Sequence, residues 1–313
     1  MDLAHLTEGY RALRERAAWI DLRGRGKIVM AGEDRARLLH AMATNHIEQL
    51  KPGEGCYTFF LNAQGRILAD ANILCFEDHF LLDTEPETRV KLFEHLDRYI
   101  IADDVTIEDR SDRLATISVE GPQSAAILRH LGAPIPSRTF SWLRWEDRII
   151  ATINSTGSEG FFIITDSGSN GFDLGVPHVF AQDARTVRIE NGRPRYGEEI
   201  TERNLVQETD QLHAVHFSKG CYLGQEIVER VRSHAHIHRI LRRLEIDTAD
   251  PPAPGTKTEA LEIASSAFSP ARNKSVALAY VRMLSAEPGT ELTIGGARAV
   301  VSELSPAPHP VQT

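Results

Sequence analysis

Three cysteines in 313 residues, Cys56, Cys75 and Cys221, are too few for a disulfide framework, and a chain this long does not need one. None stands in a CxxC pair. Structural zinc, or a cluster held by the chain's own thiolates, usually takes about four ligands and is therefore not expected; no metal site is assigned. No apolar run approaches the ~18–20 residues that cross a bilayer as a helix, so no membrane-spanning helix is expected. Basic runs are missing as well, and the net charge is −9. Phosphate backbones are bound by clustered Lys and Arg, so nucleic acid is not expected as a direct ligand. The opening Met1-Asp2-Leu3-Ala4-His5 has neither a signal-peptide core nor an Arg- and Ser-rich transit pattern. The expected location is the compartment of synthesis, most simply a bacterial cytoplasm. What is present, 42% hydrophobic and 25% charged residues, is the composition of a globular protein with room for two or three domains.

An internal repeat comes first among the positive signals. Lys27 begins KIVMAGEDRARLLHAM and Thr116 begins TISVEGPQSAAILRHL, at a constant offset of 89 residues. Ile28, Met30, Gly32, Ala36, Leu39 and Met42 pair with Ile117, Val119, Gly121, Ala125, Leu128 and Leu131. Each copy reads as a strand of period two, a glycine turn, and a helix with apolar residues every three to four positions. Strand-like CYTFFL, RILADANIL, HFLLD, DRIIATI and GFFIITD follow the copies, and Asn62-Ala63-Gln64-Gly65 reads as a hairpin connection. A helix is predicted over 85–101, with Thr84 and Glu87 as a capping box, Pro86 in its first turn, and Val90, Phe93, Leu96 and Ile100 on one face. A second is predicted over 178–190, ending at Gly192. The fold class is α+β: a pseudo-repeated antiparallel α/β body of two subdomains over 1–240.

The composition breaks after Ile246. DTADPPAPGTKTEA carries too much Pro and Gly for element interiors. LEIASSAF, SVALAYVRM, ELTIGG and ARAVVSEL then read as short strands of a small β-barrel over 241–313.

Four constellations bear chemistry. In KGCYLGQEIVER, Lys219 and Gly220 precede Cys221, and Tyr222, Leu223 and Gly224 lead into a helix that opens at Gln225 and Glu226. A thiol before a helix N-terminus is biased towards thiolate, Lys219 would add to that field, and the glycines allow an accessible turn. A purely structural turn is the alternative. In RIENGRPRYGEEITE, Glu190 sits where a helix ends, against the macrodipole by about 0.3–1 kcal/mol, either for function or as an ion-pair partner of Arg188 or Arg193. Asp70 falls within a strand among apolar neighbours, where Asp is disfavoured; it either has a specific inward partner or faces solvent. Finally, HAHIH, His234 to His238, would align three imidazoles on a strand, but Arg239, Arg242 and Arg243 would repel a cation.

KGCYLGQE resembles the signature that sets YgfZ-like proteins apart within the aminomethyltransferase superfamily. TNHIEQLKPGEGCYTFFLNAQGRILAD, VRIENGRPRYGEEI and SPARNKSVALAYVR resemble further blocks of that family, so the likeness spans nearly the whole chain. It implies a three-domain, ring-like arrangement around a central tetrahydrofolate site in the first two subdomains. It also implies a role in assembling or repairing iron–sulfur proteins, which makes folate and iron–sulfur client or assembly proteins the expected partners. Carried over by position, Glu190 matches the pterin-binding glutamate, with Arg188 and Tyr196 beside it as further folate candidates. A carboxylate can accept a pterin's adjacent N–H and amino donors in a bidentate contact. Cys221 matches the cysteine the subfamily requires, and Asp70 lies nearest the aminomethyltransferase's catalytic aspartate. That enzyme's pattern has two adjacent acids where this chain has Ala69-Asp70, which weighs against aminomethyl transfer. A glycine-cleavage-type aminomethyltransferase and a non-catalytic scaffold are the alternatives.

Overall fold

The computed structural model describes residues 7–168, 173–233 and 237–304. Helix α1 (Glu8–Glu15) leads into strands β1 (Ala18–Asp21) and β2 (Gly26–Ala31), then helix α2 (Arg35–Met42). Strands β3 (Gly55–Leu61), β4 (Ile67–Cys75) and β5 (His79–Thr84) are followed by helix α3 (Arg89–Asp97) and β6 (Thr106–Asp109). Next come β7 (Leu114–Glu120), helix α4 (Ser124–His130), β8 (Trp142–Trp145), β9 (Arg148–Ala151) and β10 (Gly160–Asp166). The two-residue β11 (His178–Val179) precedes helices α5 (Ala181–Glu190) and α6 (Gln225–Ser233). Five further strands close the described chain: β12 (Arg239–Ile246), β13 (Leu261–Ser269), β14 (Lys274–Arg282), β15 (Glu291–Ile294) and β16 (Ala297–Ser302).

These strands form three sheets, ordered β3-β4-β5-β2-β6, β11-β1-β7-β10-β9-β8 and β13-β14-β12-β16-β15. The β1–β11 pair is parallel and the other named pairs are antiparallel. The two copies of the sequence repeat sit in different sheets, β2 with α2 and β7 with α4. Their glycines are needed for the same reason. Gly32 has φ +107 and Gly121 φ +126, and a Cβ would fall 2.1 Å from the Asp104 carbonyl oxygen or 2.6 Å from that of Arg16.

Period two explains how β4 serves two sides at once. Ala69, Ala71, Ile73 and Cys75 join the core under α2 and α3, with Leu39, Met42, Leu92 and Leu96. Leu74, on the opposite face, packs with Val29 and Leu81 against Trp142, Phe162 and Ile164 of the second sheet. Asn72 and Asp70 continue that face beyond Leu74, where polar groups replace the apolar contact. A separate core joins Ile189 of α5 to Leu241, Val276 and Leu278 of the third sheet.

Three expectations change. The helix predicted over 85–101 is a 3-10 turn at Pro86–Thr88 followed by α3, and no capping box forms. The Thr84 hydroxyl donates to the Asp70 carbonyl oxygen instead, and the Glu87 carboxylate accepts from Arg195. Val90 consequently points outward, 63% exposed. The helix predicted over 178–190 begins three residues later, because His178 and Val179 pair with β1. The C-terminal strands fall where expected, but their sheet is open: β13 and β15 are its edges, so it does not close as a barrel. Among the described residues, no helix is long and apolar enough to cross a membrane. His234 and His236 of the histidine group lie outside the described residues.

Candidate functional site

Between the first two sheets and the end of α5 lies a cavity of about 520 Å³. Its first wall is the polar end of the first sheet: Tyr57 on β3, Asp70 and Asn72 on β4, Arg25 before β2, and Glu85 after β5. Register aligns these groups, since Tyr57 stands opposite Asn72, and Asn72 opposite Asp83. The Tyr57 hydroxyl donates to Asp70 Oδ2 at 2.7 Å. Asn72 Nδ2 donates to Asp83 Oδ1 at 3.3 Å, while Asn72 Oδ1 is buried and has no partner among the described residues. Asp83, fully buried, also accepts from Arg25 Nε at 2.6 Å and pairs with the equally buried Lys27 at 2.9 Å. Each charge beneath this wall thus has a counter-charge, as buried ions require.

The second wall is the 154–156 loop, held by the buried carboxylate of Glu120. Oε1 accepts from the Ser118 hydroxyl at 2.6 Å and from the Ser155 amide and hydroxyl at 2.6 and 2.7 Å. Oε2 accepts from the amide and hydroxyl of Thr156. The third wall is α5 and the turn after it, with Ala184, Arg185, Arg188, Arg193 and Arg195. Arg188 is bidentate to Glu199 at 2.8 and 3.0 Å, and Arg195 is 3.1 Å from Glu85. Phe180, 67% exposed, and His178 form an aromatic rim.

Burial pushes the Asp70 carboxyl up to about 6, with nearby Glu85 acting in the same direction. The Tyr57 hydroxyl, Arg25 and Arg193 oppose that rise. Burial raises the Tyr57 phenol too, reinforced by Asp70. Asp70 is therefore an acid within a cleft that can give or take a proton near neutral pH.

The structure brings Asp70 and Arg188 to the cavity and places the other predicted residues elsewhere. Glu190 is two residues after Arg188 on α5, so the two side chains leave the helix on different faces. With Arg188 turned to the cavity, Glu190 is wholly buried on the other side, accepting from the Tyr10 and Ser269 hydroxyls at 2.6 Å each. Its second oxygen is 3.2 Å from Arg14, which takes the place of the expected Arg188 or Arg193 partner. Tyr196 is buried in the core beneath β3 and β4, its hydroxyl 3.4 Å from the Ile67 carbonyl oxygen. Neither residue lines the cavity.

The KGCYLGQE segment packs against α2 and the β3–β4 hairpin. The Lys219 ammonium donates to the carbonyl oxygens of His40, Ala43 and Asn45, at 2.6 Å for Ala43 and 3.0 Å for Asn45. Burial brings it down to about 8. Its charge caps the end of α2. Gly224, at φ +82, lies against the hairpin turn: a Cβ there would be 2.6 Å from the Asn62 carbonyl oxygen. Gln225 Oε1 accepts from the Tyr222 amide at 3.3 Å, and Glu226 opens α6 facing solvent. Cys221 is exposed and outside the cavity wall, whereas Cys56 and Cys75 are buried, and burial pushes the Cys56 thiol up to about 12.

Sequence reasoning missed Tyr57, Asn72, Glu120 and the cavity role of Arg193. Glu120 ends the second repeat strand just before Gly121, and Ser155-Thr156 is the donor-rich turn it captures. Nothing within either segment alone predicts that pairing across 35 residues.

Sheets paired around a polar cavity, with a third sheet docked on α5, make this a mixed α/β protein of the aminomethyltransferase-like class. Its fold matches the crystal structure of glycine cleavage system aminomethyltransferase T from Bartonella henselae, with TM-score 0.83 at 21% identity, over 95% of this chain and 88% of that one. The family described as the GCVT N-terminal domain matches residues 3–219, and the chain belongs to it. Aminomethyltransferase of Aquifex aeolicus is 27% identical over 301 residues, covering 92% of this chain and 82% of the relative. A chloroplastic protein of Arabidopsis thaliana, with a transferase name, is 26% identical over 294 residues, covering 88% and 68% respectively.

Proposed function

We propose that the cavity binds tetrahydrofolate and that the protein serves iron–sulfur protein maintenance as a YgfZ-like member of its superfamily. The observation that carries the folate reading is the orphaned Asn72 Oδ1 beside Asp70 in a cavity of about 520 Å³. That volume lies in the range that holds a drug-sized ligand. A buried acceptor without a donor is costly unless a ligand or water supplies one. Two acceptors on one strand face suit a heterocycle bearing adjacent N–H groups, so Asp70 and Asn72, not Glu190, would hold the pterin. When bound, tetrahydrofolate supplies a carrier for a one-carbon unit. The iron–sulfur role is supported by the KGCYLGQE resemblance together with the exposure of Cys221. Residues 241–313 are assigned to a C-terminal unit of their own, after a body spanning 1–240.

Calorimetric titration of the reduced protein with tetrahydrofolate under anaerobic conditions tests the ligand. Saturable one-site binding is expected, and no heat at millimolar ligand would turn the reading to a scaffold. Because Cys221 lies away from the cavity wall, its thiol is proposed to engage a protein partner. Cys221→Ala should leave thermal stability and folate affinity unchanged but remove support of iron–sulfur enzymes in cells. Undiminished cluster-enzyme activity in cells carrying that variant would refute the thiol's role.

The named aminomethyltransferase relatives, and an ionisable Asp70 at the cavity, favour one second reading, transfer of the methylene of a lipoyl-bound aminomethyl group onto folate with release of ammonia. Folate-dependent release of ammonia from an aminomethyl-loaded, lipoyl-bearing protein would establish it.

A further inference from the structure

Arg193 differs from the other arginines of the cavity wall. Arg25, Arg185, Arg188 and Arg195 each have a carboxylate partner. Among the described residues, the Arg193 guanidinium has neither an ion pair nor a hydrogen-bond acceptor. It lies over the face of Tyr57, 5.9 Å from the ring centroid. Asp70 and Glu120 attract it through space, yet Asp70 is held by Tyr57 and Glu120 by the 154–156 loop. Its stem packs close to Gly157, where φ is +77 and a Cβ would already be 3.2 Å from Arg193 Cβ. The chain thus keeps a guanidinium in the cavity wall and leaves its five N–H donors unspent. In the same cavity, Asn72 Oδ1 is an unspent acceptor among the described residues, and Asp70 accepts from the Tyr57 hydroxyl. The cavity thus holds donors without an acceptor on Arg193 and an acceptor without a donor on Asn72.

We propose that Arg193 reads the 4-oxo group of a bound pterin while Asn72 and Asp70 take the ring's N–H donors, so that the cavity selects 2-amino-4-oxo over 2,4-diamino rings. This rests on the folate reading above and adds the group that sets its specificity. A 4-oxo ring presents an acceptor next to an N–H donor, which suits the unspent donors of Arg193 and the acceptors of Asn72 and Asp70. A 4-amino ring presents a donor to a guanidinium that has only donors, and it loses the ring N–H. Sites built to hydrogen-bond a ligand group reject analogues lacking it, because their own buried groups are then left unpaired.

The test uses the full chain with two probes that lack the benzoyl-glutamate tail, 6-methyl-tetrahydropterin and its 4-amino counterpart. The wild type should prefer the 4-oxo probe by about tenfold to a hundredfold, as for one charged hydrogen bond. Arg193→Met should weaken the 4-oxo probe by a like factor and bring the two affinities within about threefold of each other. Arg193→Lys, which keeps one charged donor, should recover part of the preference. The ligand-free Arg193→Met protein should melt at a temperature equal to or above the wild type's, since a desolvated charge without a partner is removed. A fall of several degrees would reveal a structural partner and overturn the assignment. Unchanged preference in Arg193→Met overturns it too, while leaving folate binding standing. If the wild type binds neither probe nor tetrahydrofolate, the folate reading itself fails and this inference with it.

Discussion

Glu190→Ala is expected to destabilise the protein by about 3–5 kcal/mol, more than any other single change at the predicted site residues. One buried carboxylate ties three parts of the chain together there. It accepts from Tyr10 of α1 and from Ser269 at the end of β13, and it sits on the last turn of α5. Removing it strands two buried hydroxyls, at about 1–3 kcal/mol each, and leaves Arg14 without its counter-charge. The Ser269 hydroxyl also accepts from the Arg272 amide, and the Tyr10 hydroxyl from the Ala271 amide. The β13–β14 connection should therefore loosen with it. Glu190→Gln keeps one acceptor for the hydroxyls and should cost only about 1–2 kcal/mol. Urea unfolding separates the two variants, and folate titration of Glu190→Gln supplies the second readout. Affinity within error of the wild type is expected, because Glu190 is not in the cavity wall. A stable Glu190→Gln protein that no longer binds folate would restore Glu190 as a ligand.

That outcome bears on what was legible in the sequence. Local grammar identified much of the fold: the two strand–glycine–helix copies, the hairpin at Asn62–Gly65, α6 after the cysteine turn, and the C-terminal strands. Periodicity and positive-φ glycine are short-range signals, and these elements obey them. Side-chain direction at helix ends and sheet edges is set by tertiary contacts instead. Arg188 and Glu190 are two residues apart in the motif and so about 200° apart around α5, since each residue turns about 100°. Only the packing of α5 decides which of them meets the cavity. Thr84 and Glu87 have the spacing of a capping box, but Asp70 and Arg195, from distant segments, claim both side chains. The closed barrel failed for a similar reason, because strand count is read from turns while closure depends on pairing between the two edges. Asp70 was an intermediate case: an acid inside an apolar strand left an inward partner and a solvent-facing side chain both open, and its partner is the buried Tyr57.

Asp70 should also govern the protein's response to pH. Its folded-state value of about 6 lies above the ordinary 3.8, so the folded state holds this proton more tightly than the unfolded chain does. The stability it contributes is fully present below the unfolded value and is lost as pH rises through about 6. At pH 8 the ionised, buried carboxylate is a net cost of about 2–3 kcal/mol on the same scale. Asp70→Asn does not titrate, so its stability relative to the wild type should climb between pH 4 and 6 and level off above. Part of the gain is offset because the amide brings a donor that must find an acceptor beside Tyr57. Function should move the other way. If the ionised carboxylate accepts the ligand's N–H, wild-type affinity falls as the solution is acidified below about 6, whereas Asp70→Asn binds weakly and without that slope. Thermal melts and ligand titrations across this range check both halves. A variant no more stable than the wild type at pH 8 would mean that Asp70 is well solvated or paired. A wild-type affinity that is flat through pH 6 would move the ligand's donors onto Asn72 alone.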